Sequence, residues 1–149
     1  MNSTLTWLGH GCFQLDTAGK SVLIDPFFTG NPAAATSAEA VAPDFIVLTH
    51  GHGDHVGDTV AIARRTGALV IANYEITEWL SKQGVSRVHA QNTGGGYAHP
   101  FGRLKFTIAQ PRMPTPGLRG SGRRPRRNRS SCDLGKFKRS EIPARSASE

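Results

Sequence analysis

The stretch Thr-His-Gly-His-Gly-Asp-His at residues 49–55 is the most informative part of this chain, because three imidazoles and one carboxylate fall within six positions. It follows directly on the apolar run Phe-Ile-Val-Leu at residues 45–48, which predicts a buried strand over residues 44–49. A strand that ends in such a turn delivers several side chains to one point. Neutral imidazole and carboxylate are the usual ligands of zinc and similar divalent ions. The stretch therefore predicts a metal site.

The spacing within the turn favours two ions rather than one. His50 and His52 alternate and can point to one side together, and Asp54 and His55 follow closely enough to reach a second ion. Two ions about 3.5–4 Å apart can clamp a hydroxide and the oxygen of a scissile group, and water bound there has a pKa near 7. The alternative is a set of surface loop histidines without a ligand role. The position of the whole pattern, after a buried strand and before a helix, favours the metal site.

Length and composition limit the kind of protein that this chain can be. The 149 residues suffice for one domain with its own core, but the hydrophobic content of 38% is low, so we expect part of the chain to lie outside that core. No apolar stretch is long enough to cross a bilayer, and residues 1–4 do not resemble a signal peptide. Two cysteines make no disulfide framework. These observations predict a cytoplasmic protein without a membrane partner.

The formal charge of +7 is divided unevenly along the chain. Residues 1–109 carry 7 Lys+Arg and 8 Asp+Glu, a net of −1, whereas residues 110–149 carry 11 and 3, a net of +8. All six histidines lie within the first 99 residues. The second segment is rich in Arg, Pro and Gly and lacks apolar periodicity, so it cannot bury enough surface to offset its ordering entropy. We therefore predict a folded domain over residues 1–109 and a disordered basic tail over residues 110–149.

The first segment reads as alternating strands and helices, which predicts an α/β (α+β) fold. A loop is predicted over residues 29–43, where Ala, Gly, Pro and Thr dominate. Strands are predicted over residues 5–8, 12–15, 21–24, 44–49, 68–72, 85–88 and 104–108, helices over 58–66 and 75–83, and turns at 9–11 and 94–96.

Several motifs together resemble one family. The pattern His-x-His-x-Asp-His at residues 50–55 is similar to the signature of the metallo-β-lactamase superfamily. Thr-Trp-Leu-Gly-His-Gly-Cys-Phe at 6–13, Leu-Ile-Asp-Pro-Phe at 23–27, Thr-Gly-Asn-Pro at 29–32 and Gly-Asp-Thr at 57–59 resemble its bacterial metal-dependent hydrolase branch, which is similar to ascorbate-6-phosphate lactonase. The resemblance covers residues 4–109. It implies that this segment is the N-terminal half of an αββα sandwich, with a dinuclear site at one edge of the sheets.

The resemblance also implies roles for the residues of the turn. His50 and His52 would bind the first metal, and Asp54 and His55 the second. Asp54 could serve instead in proton transfer, which makes it a catalytic candidate. The ions would be zinc, with manganese as the other candidate.

Outside the turn, the resemblance implies that Asp25 orients a ligating imidazole and that His10 lies beside the cleft as a second catalytic candidate. The alternatives are a turn-capping carboxylate for Asp25 and a packed loop histidine for His10. His89 and His99 match no family ligand, so we expect them on the surface. Cys12 is expected in the core rather than as a reactive thiol.

The implied activity is hydrolysis of a small-molecule substrate, in which metal-bound hydroxide attacks a lactone, phosphoester or similar bond.

The family supplies three more ligands downstream, the first a histidine just after the strand at residues 104–109, but Gln110 and Pro111 stand there. We therefore expect a truncated form with impaired activity, in which two ions are not fully bound. The alternative is a non-catalytic fold that binds at most one metal weakly. A one-base frameshift after Ala109, which can restore His-Ser, is our hypothesis for the difference.

Nucleic-acid binding through the basic tail is a further alternative. The 11 Lys+Arg in 40 residues would attract phosphates without regard to sequence and in a salt-dependent way. The tail holds a single aromatic residue, Phe137, and so lacks a stacking platform. We expect no nucleic-acid partner beyond this non-specific attraction.

Overall fold

A computed structural model describes residues 2–108 of the chain, and these residues alternate between strands and helices. The predicted domain boundary at residue 109 and the predicted disordered tail lie outside the described residues. The strands are β1 (Thr4–Gly9), β2 (Cys12–Thr17), β3 (Lys20–Ile24), β4 (Phe45–Val47), β5 (Leu69–Ala72), β6 (Val88–Ala90), β7 (Gly96–His99) and β8 (Gly102–Lys105), and the helices are α1 (Gly53–Val56), α2 (Thr59–Thr66) and α3 (Tyr74–Lys82).

The first six strands form one sheet in sequence order, β1-β2-β3-β4-β5-β6. β1, β2 and β3 pair antiparallel, whereas β3, β4, β5 and β6 pair parallel. β7 and β8 form a separate antiparallel hairpin. This mixed architecture confirms the predicted α/β (α+β) fold class.

Both faces of the sheet are apolar, because the central strands are buried on both sides. On one face, Leu23, Ile46 and Val70 pack with Ile62 of α2 and Leu80 of α3, and all five side chains are fully buried. On the opposite face, the buried side chains of Val22, Phe45, Val47 and Ile71 are covered in part by the β7–β8 hairpin and the residues around it, through Phe101, Leu104 and Phe106. Burial of one such side chain contributes about 1.5–3 kcal/mol, so the two clusters stabilise β3, β4 and β5 most strongly.

Strand order sets the place of the histidine turn. Ile24 at the end of β3 is in register with Val47 at the end of β4, and the two strands are parallel. The backbone N–H of Asp25 then donates to the carbonyl of Val47 at 3.0 Å. Because the carboxyl ends of parallel strands lie at one edge of a sheet, the residues that follow β3 and β4 meet there.

The structure differs from the sequence prediction in its last third. The strand predicted over residues 85–88 lies at 88–90, and the strand predicted over 104–108 lies at 102–105. β7 was not predicted, because Gly94-Gly95-Gly96 reads as a turn. Gly96 instead pairs with Lys105, and a Cβ there would lie 3.0 Å from Nε of Arg103. The glycine permits this close cross-strand approach, which no local pattern reveals.

The prediction that His99 lies on the surface is wrong. His99 is 8% exposed, and its Nε2 contacts Oε1 of Gln91 at 3.0 Å. Its ring stacks on Phe101 with centroids 5.1 Å apart. Hairpin pairing turns this side chain inward, which its sequence neighbours do not indicate. His89 is partly buried.

Cys12 lies in the core, as predicted, and its side chain is fully buried. Burial raises the pKa of its thiol to about 11, which disfavours the reactive thiolate. Within residues 2–108, no helix is long and apolar enough to span a bilayer. The cytoplasmic location stays a prediction.

Candidate metal centre

The histidine turn connects β4 to α2 and contains the single helical turn α1, which the sequence did not predict. The carbonyl of His52 accepts hydrogen bonds from the backbone N–H groups of His55 at 3.0 Å and of Val56 at 2.9 Å. These bonds close α1 directly after His52, so that Asp54 and His55 project from a fixed backbone. The glycine at position 53 opens the helical turn.

The two imidazoles at the start of the turn face each other. Nε2 of His50 lies 3.0 Å from Nδ1 of His52. Desolvation by burial, and then the neighbouring imidazoles of His55 and His52, hold the pKa of His50 below its ordinary value. His50 is therefore neutral near pH 7, and neutral imidazole is the form that binds metals.

Asp25 connects the turn to β3 through a buried carboxylate that is 3% exposed. Its Oδ1 accepts from the backbone N–H of Thr49 at 2.8 Å, and its Oδ2 contacts the Thr49 hydroxyl at 2.5 Å and Nδ1 of His55 at 2.8 Å. Both carboxylate oxygens are thus engaged. The structure places Asp25 where it can orient His55.

The hydroxyl of Thr49 connects Asp25 to His50 through hydrogen bonds. The hydroxyl of Thr49 also lies 2.9 Å from Nδ1 of His50. A hydroxyl has one proton, and that of Thr49 is donated to Asp25. The hydroxyl must therefore accept from Nδ1–H of His50. One buried carboxylate therefore places a proton on Nδ1 of both His50 and His55. Nε2 of each ring is then the nitrogen with an electron pair for a metal, and in His50 this nitrogen faces Nδ1 of His52.

A second carboxylate holds the loop that carries Asp25. Oδ2 of Asp58 accepts from the backbone N–H groups of Phe28 at 2.8 Å and Thr29 at 2.9 Å, and its own N–H donates to the carbonyl of Pro26 at 2.8 Å. Burial would raise the pKa of Asp58, but the hydrogen bonds from Thr29 and Phe28 outweigh burial and lower it. A Cβ at Gly57 would lie 2.3 Å from the Pro26 carbonyl. Gly57 is needed for this close approach.

Thr49 and Asp58 support the site, and the sequence alone predicted a role for neither. A hydroxyl directly before the first histidine of the turn was the available signal for Thr49. For Asp58 the signal was the Gly-Asp-Thr motif at residues 57–59, whose function became clear only from its contacts with the distant loop.

His10 reaches the turn from the connection between β1 and β2. Its Nε2 lies 3.4 Å from Oδ2 of Asp54, and its ring packs edge-on against His55 with centroids 5.1 Å apart. His10 therefore lies beside the turn, although it is far from it in sequence.

Two groups of side chains bring one candidate ligand atom each to within 4.8 Å of one another. The first is His10, Asp54 and His55, and the second is Asp25, His50 and His55. Within residues 2–108, His52 belongs to neither group, and its imidazole contacts the second group through His50. We interpret Asp25 as an orienting residue of the second group rather than a ligand, because both its oxygens already accept hydrogen bonds.

Comparison with known proteins finds metal-dependent hydrolases among the proteins that this chain resembles. A metal-dependent hydrolase of Shouchella clausii is 53% identical over 105 residues, which are 70% of this chain and 46% of the relative. One of Agrobacterium fabrum is 55% identical over 110 residues, with the same two shares. A solved metallo hydrolase of the archaeon Ignicoccus hospitalis superposes with a TM-score of 0.59 at 36% identity, over 64% of this chain and 42% of that one.

The chain spans less than half the length of these relatives. A family model, that of the metallo-beta-lactamase superfamily, matches residues 5–128, which is most of the chain. The resemblance inferred from the histidine turn is thereby confirmed, and the chain belongs to the metallo-beta-lactamase superfamily.

Proposed function

We propose that this chain carries the ligand turn of a metal-dependent hydrolase that holds two divalent ions. One observation supports this most directly: His55 belongs to two groups of converging ligand atoms at the carboxyl edge of the sheet, one that includes Asp54 and one that includes His50. The hydrogen bonds of Asp25 and Thr49 place the ring proton of His50 and of His55 on Nδ1. His50 and His52 would hold the first ion, and Asp54 and His55 the second.

The residues present fit such ions. Two imidazole nitrogens 3.0 Å apart, one of them on a ring whose pKa is lowered, suit a cation that prefers neutral nitrogen ligands. The carboxylate of Asp54 adds an oxygen donor to the imidazole of His55. This mixed nitrogen and oxygen set is typical of zinc, and manganese is the alternative because it also accepts carboxylate.

The chemistry follows from that donor set. When bound, the ions polarise the oxygen of a scissile bond and make water acidic enough to react at neutral pH. Asp54 is about half exposed, with 49% of its side chain accessible, so a substrate can reach it, and proton transfer is its alternative role to binding the second ion. Asp25 retains the proton on Nδ1 of His55 and keeps that ring oriented. We propose a lactone, phosphoester or similar bond of a small molecule as the substrate.

A non-catalytic metal-binding protein is the second candidate. It is favoured by the position of His52, which joins no three-residue group within residues 2–108. An ion held by His50 and His52 alone would bind weakly. In that case activity would be impaired or absent even though the fold is that of a hydrolase.

The test is metal-dependent hydrolysis by the full chain. After removal of metals with a chelator, zinc or manganese is returned and hydrolysis of a panel of lactones and phosphoesters is followed. We expect turnover that the chelator abolishes and that falls at least 100-fold in His52→Gln, with His89→Gln as the matched control. Metal binding without turnover would support the second candidate. Turnover that is insensitive to both the chelator and His52→Gln would refute the metal-dependent mechanism.

A further inference from the structure

The turn between β1 and β2 is built more rigidly than an exposed loop requires. His10 has a φ of +53°, in the left-handed region that non-glycine residues adopt at a cost in free energy. The indole N–H of Trp7 donates to the carbonyl of His10 at 2.9 Å and holds that peptide in place. A strained residue that its surroundings hold in place is typical of a functional position.

The residues on both sides of His10 have no room for a side chain. A Cβ at Gly9, whose φ is +108°, would lie 2.2 Å from the carbonyl oxygen of Ala33. A Cβ at Gly11 would lie 3.0 Å from Cε1 of His55. The backbone of the turn therefore lies directly against the imidazole of His55, and this contact fixes His10 relative to that ring.

Three ligand atoms converge where the two turns meet. Nε2 of His10 lies 3.4 Å from Oδ2 of Asp54, and one ligand atom from each of His10, Asp54 and His55 lies within 4.8 Å of the others. Nδ1 of His55 is hydrogen-bonded to Asp25, so Nε2 of His55 is the atom that can bind a metal at this point. The set consists of two imidazoles and one carboxylate, a combination found in zinc sites of enzymes.

We propose that His10 is a metal ligand, and that it completes with Asp54 and His55 the coordination of the second ion. This inference rests on the proposed function, because it assigns a third ligand to one of the two ions named there. The competing interpretation is an exposed ion pair between His10 and Asp54. Such a pair contributes little to stability and requires neither the strained turn nor the contact of Gly11 with His55.

Cobalt binding to the full chain tests the proposal without any substrate. The metal-free protein is titrated with Co²⁺ and followed by calorimetry and visible absorption. His10→Asn is the main variant, because asparagine tolerates a positive φ and so preserves the turn while removing the imidazole. We expect it to lose one cobalt equivalent or to bind that equivalent at least tenfold more weakly. His89→Gln, a change to a partly buried histidine outside the turn, should bind as the wild type does.

Double variants then show which ion His10 binds. Adding Asp54→Asn to His10→Asn should cause little further loss, since both residues would serve one ion, whereas adding His52→Gln should remove the other equivalent. His10→Gly also tolerates a positive φ, and imidazole added to the solution should restore its missing equivalent. That rescue would identify a lost ligand even if His10→Asn proved unstable.

The outcomes separate this proposal from the proposed function. If the wild type binds two equivalents and His10→Asn binds both unchanged, His10 is not a ligand and the dinuclear site remains. If the wild type binds one equivalent, weakening by His10→Asn supports the proposal and unchanged binding overturns it. If the wild type binds no cobalt, both proposals fail.

Discussion

At the residue scale, the arrangement of the site depends on Asp25 and on the hydroxyl of Thr49. Asp25 contacts His55 directly and reaches His50 through Thr49, so one buried carboxylate orients two imidazoles. Its φ of +46° is another left-handed conformation at a non-glycine residue. The hydrogen bonds that Asp58 accepts from the neighbouring loop hold that conformation in place.

Replacement of the Thr49 hydroxyl tests this arrangement. Thr49→Val preserves the shape of the side chain but removes the acceptor of Nδ1–H of His50, so we expect zinc affinity to fall about 10–100-fold. The measurement is competition with a chromophoric chelator. Thr66→Val is the matched control, because it removes a hydroxyl that donates to the carbonyl of Ile62 at 2.8 Å, away from the turn. Equal zinc affinities in the wild type and Thr49→Val would show that His50 is oriented without Thr49.

At the scale of elements, the β7–β8 hairpin is attached to the sheet through a buried polar contact. Nε2 of His99 meets Oε1 of Gln91, while Nε2 of Gln91 donates to the carbonyl of Leu104 at 2.9 Å. Gln91 follows β6, and its own N–H donates to Ala72 of β5 at 2.8 Å. The hairpin is thus joined to the parallel strands by hydrogen bonds as well as by Phe101 and Leu104.

This contact predicts a pH dependence of stability. Desolvation, and then the nearby His89, lower the pKa of His99 below its ordinary value of 6.5. Between the lowered value and 6.5 the unfolded chain binds more protons at this position than the folded chain. The stability that neutral His99 contributes is therefore fully present above pH 6.5 and is lost as the pH falls through the lowered pKa.

Urea unfolding of the wild type and of His99→Gln between pH 7.5 and pH 5 measures the effect. Glutamine does not titrate and can still donate to Gln91, so we expect its free energy of unfolding to fall less with decreasing pH. The difference between the two proteins isolates His99 from the other histidines. In His89→Gln the pH dependence should be reduced only in part, because desolvation is the larger cause. Parallel curves for the wild type and His99→Gln would contradict this prediction.

At the scale of the whole molecule, charge and apolar surface are distributed unevenly. The sheet leaves Leu5 and Trp7 of its edge strand 62% and 57% exposed, while its centre is covered on both faces. The positive charge is concentrated elsewhere, since residues 110–149 carry a net charge of +8 and residues 1–109 a net of −1. Any non-specific attraction to nucleic acid should therefore depend on the basic segment alone.

Neutralisation of that segment tests the expectation. Five arginines are changed to glutamine at positions 123, 124, 126, 127 and 129, and binding to a short DNA duplex is followed by fluorescence anisotropy at about 50 and about 200 mM salt. The wild type should bind weakly and lose affinity steeply with salt, and the variant should lose both the affinity and most of the salt dependence. Changing the exposed residues Arg64 of α2 and Lys82 of α3 to glutamine, as the control, should have no effect. A variant that binds DNA as the wild type does would refute a role for this charge.

The sequence by itself determined the central strands, both longer helices and the histidine turn. Apolar periodicity is a local property, and four candidate ligands lie within six positions, so neither inference requires knowledge of long-range contacts. Tertiary structure decided what surrounds the turn. His10 and Asp25 meet His55 only because β1, β2, β3 and β4 are neighbours in one sheet, and His99 is buried only because β7 pairs with β8. Strand pairing joins residues that are distant in the chain, and no local pattern encodes which strands become neighbours.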